Sequence, residues 1–504
     1  MRSARRSLAD GSRVGRRQFL SDLGMGFTGA VLGAMLFEDG IARALPTEIA
    51  PEVPAFPARA KNVIWLFMLG GASHLETFDP KPVLHKYANK TIGDTPYANI
   101  LEAPQLKKNF RMFAGEARLG TRILRPQVGF RKRGQCGTEV CDWFPHLGDC
   151  VDDMAVIRSL WTTDFSHTSQ MLFHTGRIIL DGREPCLGSW AHYGLGTLNR
   201  QLPKFVVMGR PPSDFGGGYA SHQASYLGPE HDGVPIEVDP DRAVPYPPQG
   251  PAQYREAQQA EFELVGELNR LAAVEYPSDR ALQARIKSYE LAFRMQASVP
   301  GIVKLDDESR ETQRLYGLDD PVTSPFGRQC LVARRLVERG VRFVQIYHGG
   351  VAWDDNGLWD SHQELRKNLS ERCREVDRPI SGLLKDLKRR GMLDSTLVVW
   401  ATEFGRTPNV EPRPDRENDA EHLRGRDHHI YGFSAWLAGG GIKGGVVHGS
   451  TDELGFHAVE NRHYVTDIHA TVLRLLGLDS RRLEIPGRRR LDMDRGRPIT
   501  EILA

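Results

Sequence analysis

Three polar segments of this sequence carry side chains that could bind a metal ion. Thr402-Glu403-Phe404-Gly405-Arg406 follows the short apolar run 397–401. Such a run is typical of a buried strand in a mostly parallel sheet, and ligands bind where such strands end. The other two segments are Trp359-Asp360-Ser361-His362 and Arg426-Asp427-His428-His429. Carboxylates and imidazoles from three separate loops are the donor set of hydrolytic metal centres.

We therefore predict a divalent metal site with these candidate ligands: Asp360, His362, Glu403, Asp427, His428 and His429. Asp360 and His362 are two positions apart, so they can chelate one ion only from an extended segment. The donor set suits zinc, calcium, manganese or magnesium. An ion held there can polarise a phosphoryl or sulfuryl oxygen and activate a hydroxyl. The alternative for Glu403 is a structural salt bridge with Arg406.

Ser166 is the candidate nucleophile. It follows the apolar run 155–161 and precedes residues 171–175, whose spacing predicts a helix. A hydroxyl at a helix N-terminus faces unpaired N–H groups that suit an anion, although the same place suits a plain N-cap. Arg406 could hold a non-bridging oxygen through its fork of donors. Further candidates near these segments are His167, Glu76 and Asp79.

The first 44 residues predict an export signal. Arg16-Arg17-Gln18-Phe19-Leu20 is a twin-arginine core, a mild apolar region covers about 23–37, and Ala42-Arg43-Ala44 is a small-x-small cleavage site. The apolar region is too short and glycine-rich for a comfortable membrane span, although an N-terminal anchor is the alternative. We therefore expect a periplasmic or other extracytoplasmic protein with no stable membrane span after signal removal.

Charge and length narrow the classes of protein further. The 504-residue chain has a net charge of +2, and residues 1–44 hold seven arginines against four acidic residues. The remainder is therefore near neutral, and no basic field indicates nucleic-acid binding.

Among the six cysteines, Cys136, Cys141 and Cys150 are close enough to form a local disulfide, with free buried thiols as the alternative.

Alternating strand and helix patterns predict the domain organisation. We expect a linker at 45–60, one α/β domain at 61–480 with a helical insertion at about 250–300, and a C-terminal tail at 481–504. Helices are predicted at 326–340 and 363–390. The runs 63–69, 155–160, 341–347 and 397–401 are expected as neighbouring strands of one sheet in a three-layer α/β/α sandwich.

Several of these motifs resemble the alkaline phosphatase and sulfatase superfamily. Ser166 to Arg177 is similar to the sulfatase nucleophile motif with its later Thr-Gly-Arg, here Thr175-Gly176-Arg177. Thr402-Glu403-Phe404-Gly405 resembles the superfamily's Thr-x-Asp-His-Gly, and Asp427 to Tyr431 resembles its later metal histidine. The resemblance implies an alkaline-phosphatase-like sandwich with a mostly parallel sheet, a bound metal, and Ser166 as nucleophile.

More narrowly, nearly the whole chain after residue 60 resembles the DUF1501 family of exported bacterial proteins. The motifs that carry this likeness are the twin-arginine start, the Gly70-Gly71 loop up to Lys81, Trp359 to His362, and Glu403 to Pro408. The chain also departs from the superfamily. Leu69-Gly70 offers no ligand where the first strand should end in Asp, Phe404 replaces a histidine ligand, and Gln170 replaces an arginine. These departures argue against a formylglycine at Ser166 and against a standard two-metal phosphatase site.

Two functions follow as hypotheses. The first is an exported, metal-dependent hydrolase of phosphate or sulfate esters that uses Ser166. The second is a catalytically degenerate phosphatase-like fold that binds sulfated or phosphorylated glycans. The departures from the superfamily favour the second, and the retained serine and carboxylate–histidine pairs favour the first.

Overall fold

The computed structural model describes most of the chain from residue 55 onward. The described residues are 55–178 without 105 and 107–120, 181–199, 201–213, 216–239, a few positions between 260 and 295, 298–350, 358–411, 420–483 and 496–504. The predicted export signal, the first part of the linker and most of the helical insertion lie outside them. The chain divides into two units, and the smaller one (1–49 and 248–293) falls almost wholly on residues that are not described. The larger unit comprises 50–247 and 294–504.

Apolar runs of the sequence form the strands of a central nine-stranded sheet with the order β12-β4-β11-β8-β1-β7-β5-β6, and β15 pairs with β4. Within the described residues the strands are β1 (Asn62–Met68), β2 (Phe130–Arg133), β3 (Thr138–Cys141), β4 (Met154–Trp161), β5 (Phe205–Met208), β6 (Val234–Pro235), β7 (Phe343–His348), β8 (Thr396–Ala401), β9 (Gly405–Val410), β10 (Arg426–His429), β11 (Phe433–Ala438), β12 (Val446–His448), β13 (Ser450–Thr451), β14 (Ala458–Glu460) and β15 (His463–Tyr464). Three two-stranded sheets, β10-β9, β13-β14 and β2-β3, lie outside the central one.

Helices cover both faces of the central sheet. They are α1 (Val83–Lys86), α2 (Ser169–Thr175), α3 (Leu187–Leu195), α4 (Arg310–Leu315), α5 (Ser324–Glu338), α6 (Leu365–Arg389) and α7 (Val465–Leu475). Because strand side chains alternate between faces, Trp65 and Phe67 of β1 pack in the same core cluster as Phe173 of α2 and Val472 of α7. On the other face α5 packs on β7 and β1, and α6 packs on α5. The expected three-layer α/β/α architecture is confirmed.

The sheet is mostly parallel, with one exception that the sequence prediction missed. β1 pairs in parallel with both β7 and β8, as expected. β11, however, pairs antiparallel with β4 and with β8, and so separates them. The predicted strand 155–160 therefore belongs to the same sheet but does not neighbour 397–401. β10 already pairs antiparallel with β9, so the chain has reversed before it enters β11, and such an antiparallel return leaves no β–α–β pattern in the sequence.

The predicted helices agree with the structure to within a few residues. α5 ends at Glu338, and Gly340 takes a left-handed φ of 88°, which fits a glycine just beyond a helix C-terminus. α6 begins at Leu365, two residues after the predicted start. At the other end of the chain, Ile499 and Ile502 pack into the core cluster. The last described residues, predicted as a tail, thus contribute to the fold.

All six cysteines are free thiols in this structure, and every one except Cys136 is buried. Cys141 of β3 contacts Cys373 of α6, and burial together with this neighbour raises the pKa of the Cys373 thiol. Cys141 and Cys373 are far apart in the chain, so the spacing of cysteines in the sequence cannot reveal this contact.

Among the helices of the described residues, none has the length and apolar character needed to cross a bilayer.

Candidate functional site

Asp360 lies at the centre of a cluster of ionisable side chains at the carboxyl edge of the sheet. Its Oδ2 lies 3.0 Å from His167 Nε2. Its Oδ1 lies 2.9 Å from His362 Nε2 and 3.1 Å from His428 Nε2, and it also accepts a hydrogen bond from Arg406. The Asp360 side chain is 18% exposed, so the cluster is open to a ligand from solvent.

Backbone contacts between strand ends hold Asp360 in place. β1, β7 and β8 run parallel, so their last residues meet at one edge. The N–H of Trp359 donates to the carbonyl oxygen of Leu69 at 2.8 Å, just beyond β1. The buried Trp359 indole donates to His348 Nδ1 at the end of β7, 3.0 Å away. Trp359 thus ties the segment that carries Asp360 to the ends of both β1 and β7.

Gly70 stands where a first-strand aspartate ligand was missing from the sequence, and the structure gives a steric reason for glycine. Its φ is +118°, and a Cβ added there would lie 2.6 Å from the Asp360 nitrogen and 2.8 Å from the Trp359 nitrogen. Only glycine permits both this conformation and this approach. The Gly70 N–H donates to Glu403 Oε1 at 2.9 Å, so the backbone takes part in the site although no side chain does.

Glu403 is fully buried and acts on the cluster through His167. Its Oε1 accepts hydrogen bonds from His167 Nδ1 at 3.0 Å and from Gln170 Nε2 at 2.8 Å, besides Gly70 N. Burial alone would raise the pKa of Glu403, but the hydrogen bond and charge of His167 lower it below the usual value. Glu403 therefore orients His167, and the contact with Arg406 offered as its alternative partner is absent from the hydrogen bonds and ion pairs of the described residues.

His167 lies between two carboxylates and links them. Burial alone would lower the pKa of His167, but Asp360 and Glu403 together raise it to about 9. With no metal present, both ring nitrogens then carry protons at neutral pH. A bound cation could take the place of the Nε2 proton, since a carboxylate on the other ring nitrogen is the usual arrangement for a metal-binding histidine.

His428 completes a three-residue group on the same side. Its Nδ1 lies 2.7 Å from the carbonyl oxygen of Phe165, which accepts the Nδ1 proton and leaves Nε2 facing Asp360. Burial lowers the pKa of His428 to about 4, so the ring is neutral. Ligand atoms of His167, Asp360 and His428 all lie within 4.8 Å of one another, close enough for one metal ion.

A second group of possible ligands adjoins the first and consists of His362, Glu411 and Asp427. His362 Nδ1 lies 3.0 Å from Glu411 Oε2, while its Nε2 faces the first group. Glu411 was missed in the sequence analysis. The antiparallel pairing of β9 with β10 brings it to Gly425, whose carbonyl oxygen accepts the Glu411 N–H at 3.0 Å. No pattern in the sequence indicates that pairing.

His429 faces away from the cluster. Adjacent residues of a strand point to opposite sides, so β10 directs His428 to Asp360 and His429 into the core. There His429 Nε2 bonds the carbonyl oxygen of Phe456, and its ring stacks on His74 with centroids 6.4 Å apart. Burial lowers the pKa of His429 to about 3. The structure brings together the predicted ligands Asp360, His362, Asp427 and His428, but not His429.

Arg406 braces the site from within the core, with no exposed side-chain surface. Its Nε donates to Gly71 O at 2.7 Å, one terminal nitrogen donates to Arg426 O at 3.1 Å, and the other donates to Gly70 O and Asp360. These acceptors occupy most of its donors. The structure therefore gives Arg406 a positioning contact with Asp360 instead of an open fork for an oxyanion.

Two other predicted candidates lie in separate ion pairs. Glu76 accepts from Arg426 at 2.7 Å, with both side chains fully buried. Asp79 lies 3.1 Å from the Lys81 ammonium and accepts from Thr451. Neither carboxylate belongs to the two groups of possible metal ligands. The structure thus gives both carboxylates contacts that hold this loop to the rest of the fold.

Ser166 lies beside the cluster without a hydrogen bond to it. Its N–H donates to Asp164 Oδ1 at 3.0 Å, and its carbonyl oxygen accepts from Ser169 at 2.8 Å. Within the described residues its hydroxyl has no hydrogen-bond partner. α2 starts three residues later and has seven residues. Phe165 contacts His428, and His167 contacts Asp360. Ser166 lies between these two residues in the chain and is therefore held next to the cluster.

Comparison with known proteins places the chain in a family. Residues 60–503 match the family model described as "Protein of unknown function (DUF1501)". The chain belongs to this family. A comparison with curated protein sequences finds no match.

Solved structures similar to this chain include a sulfatase and an alkaline phosphatase. The PsFucS1 sulfatase from Pseudoalteromonas sp. is 14% identical, with 95% of this chain and 75% of that one covered and a TM-score of 0.37. The alkaline phosphatase from the Antarctic bacterium TAB5 is 10% identical, with 83% and 98% covered and a TM-score of 0.30. A phosphonate monoester hydrolase from Silicibacter pomeroyi is 15% identical, with 71% of each chain covered and a TM-score of 0.29. These likenesses are distant, so the chemistry below is inferred from the chain's own side chains.

Proposed function

We propose that this chain is an exported, metal-dependent hydrolase of phosphate or sulfate esters, including esters carried on glycans. The observation that supports it most is the convergence of His167 Nε2 and His428 Nε2 on the two oxygens of Asp360. Export by the twin-arginine route would deliver the folded chain beyond the inner membrane. It is an inference from residues 1–44 alone.

The residues at this point fit a divalent cation. Each histidine has its Nδ1 directed at an acceptor, Glu403 for His167 and Phe165 O for His428, which leaves both Nε2 atoms for a ligand. Two imidazoles and one carboxylate with open positions are the donor set of catalytic zinc centres, and manganese also accepts it. His362, Glu411 and Asp427 could hold a second ion. A bound ion would polarise the ester oxygen and lower the pKa of a hydroxyl bound to it.

In this proposal the chain's own residues position the ester and supply the nucleophile. The Ser166 hydroxyl is part-buried, has no hydrogen-bond partner among the described residues, and adjoins His167. Its oxygen bonds to phosphorus or sulfur, the ester alcohol leaves with the serine proton, and water then releases phosphate or sulfate and restores the serine. Arg406 and Glu403 hold Asp360 and His167 in position without touching substrate.

The test uses the full chain, purified after export and assayed on aryl phosphate and aryl sulfate esters with added zinc, manganese, calcium or magnesium. We expect turnover that chelators abolish and that Ser166→Ala removes while metal content stays unchanged. His428→Gln should lower both turnover and bound metal. His422→Gln, at an exposed histidine, is the matched control and should change neither. Full turnover in Ser166→Ala would exclude this serine as nucleophile.

A second candidate function has its own supporting observation. Most of the donors of Arg406 are directed at backbone carbonyls and Asp360, and the Ser166 hydroxyl forms no hydrogen bond with a basic side chain of the described residues. This arrangement favours a protein that binds sulfated or phosphorylated glycans without cleaving them. Saturable binding of a sulfated oligosaccharide, with no turnover of any ester under every metal condition, would support this function and exclude the first.

A further inference from the structure

A pair of histidines lies at the edge of the central sheet, apart from the cluster around Asp360. His448 ends β12 and His463 begins β15, and both strands pair in parallel with β4. Their Nε2 atoms lie 2.9 Å apart, and the rings are tilted by 33° with centroids 5.1 Å apart. The His463 side chain is 15% exposed, so solvent reaches the pair.

Asp467 fixes the proton on His463. Its Oδ2 lies 3.0 Å from His463 Nδ1, one turn away at the start of α7. Its Oδ1 accepts the Arg497 N–H at 2.7 Å, so both carboxylate oxygens are held. Asp467 can accept the Nδ1 proton, and Nε2 is then the His463 nitrogen that faces His448. A carboxylate behind the imidazole in this way is the usual support of a metal-binding histidine.

The state of His448 suits a ligand as well. Burial and the facing His463 ring lower the pKa of His448, so it is neutral at pH 7. Its Nδ1 forms no hydrogen bond to any described residue, so the proton can move there and free Nε2. The negative charge of Glu501 on the C-terminal segment acts on the pKa of His448 in the opposite direction and favours a cation near the pair.

We propose that His448 and His463 bind one divalent late transition ion, with copper(II) or nickel(II) preferred, through their two Nε2 atoms. Nitrogen–metal bonds of about 2.0–2.1 Å and a nitrogen separation near 2.9 Å give an angle of about 90° at the ion. That angle belongs to tetragonal coordination, which copper(II) and nickel(II) favour, whereas a tetrahedral zinc ion needs nitrogens about 3.3 Å apart. Water completes the coordination.

The experiment titrates the full chain, stripped with chelator, with copper(II) alone and reads binding by calorimetry and electron paramagnetic resonance. A His167→Gln/His362→Gln/His428→Gln background removes the histidines of both groups of possible ligands around Asp360, so failure of the proposed hydrolase leaves this test intact. We expect one tight equivalent with nitrogen hyperfine structure. His448→Gln and His463→Gln should each lose it, and Asp467→Asn should weaken it about 10–100-fold.

His422→Gln is the control and should bind copper as the background does. Unchanged copper affinity in both His448→Gln and His463→Gln would overturn the proposal, as would tighter retention of zinc than of copper at this pair. A second measurement needs no variant at the pair. One equivalent of copper(II) should protect His448 and His463 from diethyl pyrocarbonate in peptide mass spectra, and equal modification with and without copper would also refute the site.

Discussion

His428 Nδ1 lies 2.7 Å from the carbonyl oxygen of Phe165, the residue immediately before Ser166. This hydrogen bond joins the segment that carries the candidate nucleophile to the strand that carries a candidate metal ligand. It also selects the tautomer of His428, because the carbonyl can only accept. Displacement of either partner should therefore change both the position of Ser166 and the donor atom offered to a cation.

Replacement of Gly70 by alanine should disrupt the cluster. The new Cβ would lie 2.6 Å from the Asp360 nitrogen, and the φ of +118° is strained for any other residue. We expect a loss of about 1–3 kcal/mol in the free energy of unfolding and lower bound metal, measured by chemical denaturation and elemental analysis. Gly137→Ala is the matched control, because Gly137 has φ +72° with no atom within 4 Å of the added Cβ. Equal losses in both variants would show that the close approach to Asp360 has no role.

Replacement of Glu403 by glutamine should weaken metal binding without removing a ligand. Glutamine keeps the size of the side chain but withdraws the negative charge that holds His167 Nδ1–H. Partners behind a metal-binding histidine typically contribute 10–100-fold in affinity, so we expect a fall of about that size in a competition assay with a chromogenic chelator. An affinity equal to wild type would show that His167 does not act as a ligand oriented by Glu403.

The sequence predicted the central strands well because β1, β7 and β8 are mostly apolar and are buried on both faces. It also identified Asp360, which comes after β7, and His428, which lies just before the apolar run of β11. It could not rank His167 above Ser166, since the contact with Glu403 joins residues brought together only by the fold. Nor could it choose between His428 and His429, because the register of β10 against β9 decides which side each faces.

The buried pair Glu76–Arg426 should stabilise the fold far more than an exposed pair. Glu76→Gln leaves the fully buried Arg426 charge without its carboxylate and should cost about 3–5 kcal/mol. Glu421→Gln breaks the exposed pair with Arg125 and should cost less than about 1 kcal/mol. Urea unfolding of both variants measures the difference. Metal content per folded molecule should stay at the wild-type value in Glu76→Gln. A lower metal content in this variant would indicate that Glu76 is a metal ligand.

His222 should make the fold sensitive to acid. Burial lowers the pKa of His222 to about 4, and His174 is its titratable neighbour. Between pH 6.5 and 4 the unfolded chain binds the proton and the folded chain does not, so stability is complete above pH 6.5 and falls as pH drops towards 4. The contribution lost between pH 7 and pH 5 is about 2 kcal/mol.

The test compares urea unfolding of wild type and His222→Phe at pH 7 and pH 5. The aromatic ring is kept next to Tyr347 and Tyr219, whose centroids lie 6.4 and 4.5 Å from the His222 ring. The variant should lose less stability on acidification than wild type. His422→Gln should keep the wild-type pH dependence, and an equal dependence in His222→Phe would assign the effect to other groups.

The cluster around Asp360 draws on Gly70, His167, Asp360, Glu403 and His428, which lie on five segments spread along the chain. A ribosome therefore releases the last of these donors only after most of the polypeptide has been made. The segments made first contain only part of the donor set, so they bind a metal ion less tightly than the complete fold does. Metal loading of the proposed hydrolase would thus follow folding, and the compartment where the complete chain folds would decide which metal it meets first.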